Sequence, residues 1–155
     1  MGCTPKFIVR TSEPGGVPVD IGPLVNVAVV TVGPRHSVAE AARRMRSGNV
    51  GSAVVETEDG HPGIITERDL LKVMADGVDP EVATVEEYMT ANAITASPSW
   101  SAVDAASRML EGGFRHLVIL GDTGRVSGIL SIRDLVASLL EEFQSESAEP
   151  GTRSS

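Results

Sequence analysis

Residues 63–70, GIITERDL, decide the fold, because the chain repeats them almost unchanged at residues 128–135 as GILSIRDL. In each stretch an apolar strand leads into a Thr or Ser that is followed three residues later by an Asp. The similarity extends backwards, since residues 21–60 align with residues 85–124 at an offset of 64. Ten of those 40 positions are identical, whereas about three identities are expected from composition. The chain therefore contains two copies of one unit of about 60 residues.

Each copy is predicted to form its elements in the order β-α-β-β-α. Apolar residues at i, i+3, i+4 and i+7 predict the first helix of each copy, with Gly48 and Gly112 as C-cap residues. Turns at residues 59–60 and 123–124 are predicted to join the next two strands as hairpins. The expected strands are residues 27–32, 53–55, 63–65, 93–96, 117–120 and 126–130, and the final helices run from 66 to about 75 and from 131 to about 143.

These elements predict an α/β (α+β) fold in which the two β-α-β-β-α repeats pack as a pseudo-two-fold pair. A three-strand sheet with both helices on one side leaves its other face bare, and two copies can cover that face for each other. The predicted organisation is a flexible N-terminal segment at residues 1–19, repeats at 20–78 and 79–143, and a disordered tail at 144–155.

Composition excludes several classes of function. The 155 residues carry a net charge of −8, which argues against nucleic acid as the main partner. No apolar run reaches the roughly 18 residues of a membrane span, and no signal peptide is predicted. The single cysteine, Cys3, suits a reducing cytoplasm. No metal site is expected, because the three histidines are scattered and no Cys/His cluster exists.

The candidate site is the junction between the last strand and the last helix of each copy. Thr66 with Asp69, and Ser131 with Asp134, follow a glycine-initiated apolar strand at the same place in both copies. A helix N-terminus offers free N–H groups to an anion, and a carboxylate one turn in can accept hydrogen bonds from a ribose diol. The alternative is a plain helix capping box, since three more such boxes begin at residues 37, 84 and 101.

The doubled motif resembles a tandem pair of cystathionine β-synthase (CBS) domains. Residues 113–119, GFRHLVI, are similar to the second-strand pattern of that family. The resemblance covers residues 20–143. It implies a regulatory module that senses cellular energy by binding AMP, ADP, ATP, S-adenosylmethionine or a dinucleotide in a cleft between the copies. It implies no obligatory cofactor.

The resemblance also implies roles for individual residues. Asp69 and Asp134 would hold ribose hydroxyls. Thr66 and Ser131 would hold phosphate. The remaining implied ligand-binding residues are Thr31 and Thr95 at the adenine, Arg115 and His116 at the phosphates, and Arg133, which could also meet a dimer partner or remain exposed.

The first copy departs from this pattern, because Gly51 and Ser52 stand where Arg115 and His116 stand in the second. We therefore expect the two potential sites to be unequal, with one binding a charged nucleotide better. Arg115 and His116 could equally be solvated residues beside a strand.

Two other classes of function remain open at this point. A structural or interaction module would keep the fold without a ligand. An enzyme is not expected, because no Ser/His/Asp, Cys/His or Walker-type grouping is present. The expected partners are the small molecule, a second copy of the chain and an unidentified regulated protein. A homodimer is predicted from the apolar stripes of the final helices, Leu70, Leu71, Met74, Leu135, Val136, Leu139, Leu140 and Phe143.

Overall fold

A computed structural model describes residues 20–147. The predictions for residues 1–19, and for 148–155 of the predicted tail, lie outside the described residues. The first repeat contains β1 (Thr31–Val32), α1 (Val38–Ser47), β2 (Ser52–Val55), β3 (Gly63–Thr66) and α2 (Glu67–Ala75). A short helix, α3 (Val85–Tyr88), links it to the second repeat, which contains β4 (Thr95–Ala96), α4 (Ala102–Gly112), β5 (His116–Leu120), β6 (Val126–Ser131) and α5 (Ile132–Ser147).

The two repeats form two sheets of three strands with the same topology. In the first sheet β2 lies between a parallel β1 and an antiparallel β3, and in the second sheet β5 lies between β4 and β6 in the same way. Each sheet buries one face against its own helices. The predicted β-α-β-β-α order and the α+β class are therefore confirmed.

The second faces of the two sheets cover each other. Val54 and Ile64 of the first repeat form one buried cluster with Val118 and Ile129 of the second. These four residues are equivalent in pairs, because Val54 matches Val118 at the offset of 64 and Ile64 matches Ile129 at the offset of 65. The predicted pseudo-two-fold packing is therefore present in the centre of the molecule.

The segments that precede the first strand of each repeat cross to the other sheet. Asn26 and Ile129 exchange backbone hydrogen bonds of 2.9 and 3.0 Å, so the chain before β1 extends the second sheet. Thr90 and Ile64 exchange bonds of 2.9 and 3.0 Å in the equivalent place on the first sheet. Ile21, which is fully buried, continues the first crossing into the core of the second repeat. The contacts of each repeat thus cross the sequence boundaries predicted above.

The motif glycines allow these crossings. A Cβ atom on Gly128 would lie 2.1 Å from Val25 Cγ1 and 2.8 Å from the carbonyl oxygen of Asn26. A Cβ atom on Gly63 would lie 3.1 Å from Met89 Sδ and 3.1 Å from the carbonyl oxygen of Thr90. Each glycine stands three residues before the Thr or Ser of the motif. Its role is the close approach of another backbone.

Several predicted boundaries differ from the structure. The first strand was expected at residues 27–32, but β1 begins at Thr31 because the preceding residues leave for the other sheet. The predicted C-cap at Gly48 is present in the right-handed region, and the left-handed residue is Asn49, with φ 51°. Gly112 lies inside α4, whose C-cap is Gly113 with φ 66°. Helix α5 continues to Ser147, beyond the predicted end near Phe143.

None of the helices within residues 20–147 is long and apolar enough to cross a membrane. Over the same residues, no group of three His, Cys, Asp or Glu side chains is arranged to hold a metal ion.

Candidate functional site

A cleft of about 630 Å³ lies between the two repeats and is called the open cleft below. This volume falls within the roughly 300–1,000 Å³ typical of small-molecule sites. One wall comes from the second repeat, where β5 begins and β6 passes into α5. The other wall comes from the chain before β1, the last turns of α1, the start of β2 and the start of α2. A ligand here would therefore touch both repeats.

The wall from the second repeat brings together five of the predicted residues: Arg115, His116, Ser131, Arg133 and Asp134. They meet because His116 at the start of β5 pairs in register with Ser131 at the end of β6. Asp134 Oδ2 accepts hydrogen bonds from Ser131 Oγ at 2.6 Å and from the Ser131 backbone N–H at 3.3 Å. Its second oxygen, Oδ1, accepts no hydrogen bond from any described residue, and Asp134 is only half-buried. This carboxylate can therefore accept bonds from a ligand in the cleft.

The wall from the first repeat consists of residues that the sequence analysis missed. Asn26 reaches the open cleft because its backbone crosses to β6, and Arg46 and Asn49 reach it at the end of α1. Gly51 and Glu67 also line this wall, where the Glu67 N–H donates a hydrogen bond of 3.1 Å to the Gly51 carbonyl. Differences between the copies were the available signal, since Arg46 stands where the second copy has Leu110 and Glu67 where it has Ile132.

Three guanidinium groups line the open cleft, those of Arg46, Arg115 and Arg133. None of them forms an ion pair with another residue between 20 and 147. Glu67 and Asp134 supply two carboxylates. A chain of net charge −8 thus gathers unpaired cations where a ligand would lie, and such a grouping favours anions.

His116 is partly buried at the start of β5. Burial first, and then the nearby Arg115 guanidinium, lower the pKa of His116 below its ordinary value, although Glu67 and Asp134 oppose this shift. The unliganded cleft therefore favours the neutral imidazole. A neutral imidazole can donate one hydrogen bond, and an anion beside it would favour the protonated form.

The other four predicted residues do not line the open cleft. Thr31 lies at a shallow depression beside α1, and its carbonyl accepts a hydrogen bond from Arg44 at 3.1 Å. Thr95 pairs with Val118 inside the second sheet. Thr66 and Asp69 lie at the equivalent junction of the first repeat. A single site containing all nine predicted residues is therefore not formed.

Asp69, with its capping partner Thr66, belongs to the symmetry-related region, which we define by Arg68, Asp69, Gly113 and Phe114 and call the twin cleft after its place in the repeat. These four residues are equivalent, at offsets of 65 and 64, to Arg133, Asp134, Asn49 and Val50, which line the open cleft. In the twin cleft Asp69 is 5% exposed and accepts from the Thr66 N–H at 2.9 Å and from Lys72 Nζ at 2.9 Å. The two clefts are therefore unequal in structure.

The capping interpretation of the motif is also confirmed. Thr66 and Asp69 form a capping box at the start of α2, and Ser131 Oγ accepts a hydrogen bond from the Asp134 N–H at 3.2 Å. Asp69 is fully engaged within the chain, because one oxygen caps α2 and the other is paired with Lys72. Asp134 combines a capping role with a position in the open cleft.

Comparison with protein families and curated relatives agrees with this architecture. The family model described as CBS domain matches the chain twice, at residues 21–76 and 85–141. An uncharacterized 17.7 kDa protein of Acidianus ambivalens is 36% identical over 132 residues, covering 84% of this chain and 79% of the relative. The CBS domain-containing protein YhcV of Bacillus subtilis is 31% identical over 121 residues, covering 77% of this chain and 85% of the relative.

Comparison with solved structures gives the same result. A CBS domain protein from Pyrobaculum aerophilum, solved as a complex with AMP, matches with a TM-score of 0.71 and 27% identity. The match covers 81% of this chain and 99% of that one. A CBS-domain containing protein from Agrobacterium tumefaciens matches with a TM-score of 0.69 and 34% identity. This match covers 77% of this chain and 98% of that one.

Proposed function

This chain belongs to the CBS domain family as a tandem pair of its domains, and on that premise we propose that it senses an adenosine derivative in the open cleft. The observation that carries the proposal is the meeting of Asp134 with Arg115 and His116 on one wall of a cleft between the repeats. The complex of the Pyrobaculum relative with AMP supports an adenine nucleotide as the ligand.

The residues of the open cleft divide by chemistry. Asp134 has an oxygen that accepts no bond within the described chain, so we assign it to the ribose hydroxyls. Arg115, His116 and Arg133 are the groups suited to phosphate, because guanidinium groups form paired hydrogen bonds with phosphate oxygens. Ser131 caps α5 beside them and would add a hydroxyl contact. The apolar side chains of Val29 and Val50 on the opposite wall suit the adenine ring.

The proposed role is regulatory rather than catalytic. A ligand that contacts both repeats stabilises one arrangement of the pair, and it shifts that equilibrium by its difference in affinity for the two arrangements. A cytoplasmic location fits this role and the single cysteine of the sequence. An unidentified protein that responds to the arrangement would be the regulated partner.

We also propose that two copies of the chain associate through their final helices. Of the predicted stripe, Leu135 is fully buried in the core of its own repeat and Leu70 packs against the other core. Leu71 and Met74 on α2, and Val136 and Leu140 on α5, stay between 48% and 76% exposed. Such a surface favours association. In analytical ultracentrifugation, Leu140→Glu should convert the expected dimer to a monomer, and a parent protein that sediments as a monomer would refute the dimer.

A module without a ligand is the second candidate, and the capping role of both motif acids favours it. Thermal unfolding with adenosine, AMP, ADP, ATP and S-adenosylmethionine separates the two candidates, because a ligand that binds the folded state raises its stability. At a ligand concentration of 100 times Kd the expected gain is about 2.7 kcal/mol. If none of the five compounds at millimolar concentration raises the melting temperature, the sensing function is refuted.

A further inference from the structure

We propose that Lys72 acts as a built-in cation that keeps the twin cleft from taking a ligand, so that each chain binds one ligand. This inference rests on the proposed function of the open cleft. It starts from a difference at one position: Lys72 of α2 is equivalent to Ala137 of α5 at the offset of 65.

Lys72 satisfies the acid that a ligand would need. Its ammonium group lies 2.9 Å from Asp69 Oδ1, while the other oxygen of Asp69 accepts from the Thr66 N–H and hydroxyl at 2.9 and 3.2 Å. The Asp69 side chain is 7% exposed, whereas its partner Lys72 is 58% exposed. A ribose hydroxyl would have to displace a charge-assisted hydrogen bond, which is stronger than a neutral one.

A second contact closes the same region. Arg68 extends from the start of α2 to the second repeat, where its NH1 group donates to the Gly113 carbonyl at 3.3 Å. The equivalent arginine of the open cleft, Arg133, makes no hydrogen bond to any described residue and lines the cavity. The Arg68 side chain therefore joins the two repeats at the twin cleft. The equivalent Arg133 side chain remains available to a ligand in the open cleft.

The residues for phosphate are also missing from the first repeat. Gly51 and Ser52 occupy the places of Arg115 and His116, and Ser52 is 3% exposed. In the twin cleft both oxygens of Asp69 are already bonded, Lys72 is paired with that acid, and Arg68 is bonded to the Gly113 carbonyl, so neither an acceptor for ribose nor an unpartnered cation for phosphate is left. The asymmetry is thus located in a few side chains on a backbone that is otherwise repeated.

Isothermal titration calorimetry of variants at residues 72 and 137 tests the proposal. The parent chain should bind one AMP. Ala137→Lys places an ammonium group three residues after Asp134 and should weaken AMP binding at least tenfold. Ala137→Met, which adds a long side chain without charge, should leave the affinity within about threefold. The double variant Lys72→Met with Arg68→Ala should bind two adenosine molecules, adenosine being the probe because this variant leaves the twin cleft without a cation for phosphate.

The outcomes separate this proposal from the function on which it rests. Parent protein that binds no AMP refutes the function and the inference together. Parent protein that binds two AMP molecules, or Ala137→Lys that binds AMP as the parent does, refutes only the role of Lys72. Equal weakening by Ala137→Met shows a steric effect and also refutes it. Melting curves identify a variant that fails to fold, and the exposed Ala137 position accepts Lys and Met with only a small loss of helix propensity.

Discussion

The interface between the two sheets follows the pseudo-two-fold symmetry of the repeats closely. The two clefts follow that symmetry less closely. At the interface, Val54 and Ile64 face Val118 and Ile129, and each sheet receives one crossing segment from the other repeat. In the clefts, Lys72 binds Asp69 while the equivalent Asp134 keeps an oxygen for another partner. Packing needs matched shapes on both sides, whereas one ligand site needs only one set of polar groups. The departures from symmetry therefore coincide with the proposed ligand site.

The largest expected effect breaks the symmetric interface. Gly128→Ala places a Cβ atom 2.1 Å from Val25 Cγ1 and 2.8 Å from the Asn26 carbonyl oxygen. The free energy of unfolding should fall by about 3 kcal/mol, the upper range for overpacking a core. Urea denaturation measures this change.

Two other glycines calibrate that result. At Gly63 a Cβ atom would lie 3.1 Å from its nearest neighbours, so Gly63→Ala should cost less than Gly128→Ala. At Gly121 the nearest atom is 3.5 Å away, an ordinary contact, and Gly121→Ala should be nearly neutral. A Gly128→Ala protein as stable as the Gly121→Ala protein would show that the crossing segment is not held against β6.

The second prediction compares the two motif acids. Asp134→Ala should weaken AMP binding by about 2 kcal/mol, or roughly thirtyfold, because a hydrogen bond to a charged acceptor contributes about 1.5–3 kcal/mol. Asp69→Ala should leave AMP binding unchanged and lower stability instead, since the buried Asp69 is bonded to Thr66 and Lys72. Calorimetric titration and thermal melting of both variants give the comparison. Equal effects of the two substitutions on affinity would remove the functional distinction between the clefts.

The third prediction concerns Arg115, which has Gly51 as its counterpart. Arg115→Ala should weaken AMP about tenfold, a loss of about 1.4 kcal/mol, and should leave adenosine binding within about twofold. Adenosine lacks the phosphate that the guanidinium would contact. Arg108→Ala, an exposed arginine of α4 away from the open cleft, controls for the loss of one positive charge. Equal weakening of adenosine and AMP would indicate a packing role for Arg115.

The smallest expected effect is a pH dependence from His116. Burial and then Arg115 lower its pKa in the unliganded protein, and a bound phosphate raises it by favouring the protonated ring. Binding therefore takes up protons, and AMP affinity should rise about threefold as the pH falls from about 7.5 to 6.5. His116→Asn should flatten this slope. Affinity that falls over the same range in the parent protein would contradict a His116–phosphate contact.

A falling pH is expected to strengthen AMP binding, but it lowers the contribution of His116 to the folding stability of the unliganded chain. Because the pKa of His116 is lower in the folded state, the unfolded chain binds its proton first as the pH falls. Its contribution to stability is thus complete above about pH 6.5 and is lost below it.

The repeat in the sequence was enough to predict the fold, because residues at offsets of 64 and 65 carry the same apolar pattern and the same motif. The crossing of Asn26 to Ile129 was not predictable, since backbone pairing over that separation leaves no local periodicity. The first strand was predicted too long for this reason: residues 27–30 are apolar but connect Asn26 on the second sheet to β1 on the first, and Val27 is 79% exposed.

The candidate site was predictable on one wall only. Asp134 is marked by a motif that occurs in both copies, and Arg115 and His116 are marked by their replacement with Gly51 and Ser52 in the first copy. Glu67 and Arg46 reach the same cleft from the other repeat, and only the packing of the two units brings them there. Thr31 and Thr95 share a position in both copies but pair within sheets away from the open cleft.

A ¹H–¹⁵N NMR titration of the parent chain with AMP distinguishes the two clefts residue by residue. The backbone amides of Asn26, Gly51, Arg115 and His116 should shift with one saturating curve. The amides of Arg68, Lys72 and Phe114 at the twin cleft should stay unmoved. Shifts confined to the twin cleft, or no shifts in either region at millimolar AMP, would contradict ligand binding in the open cleft.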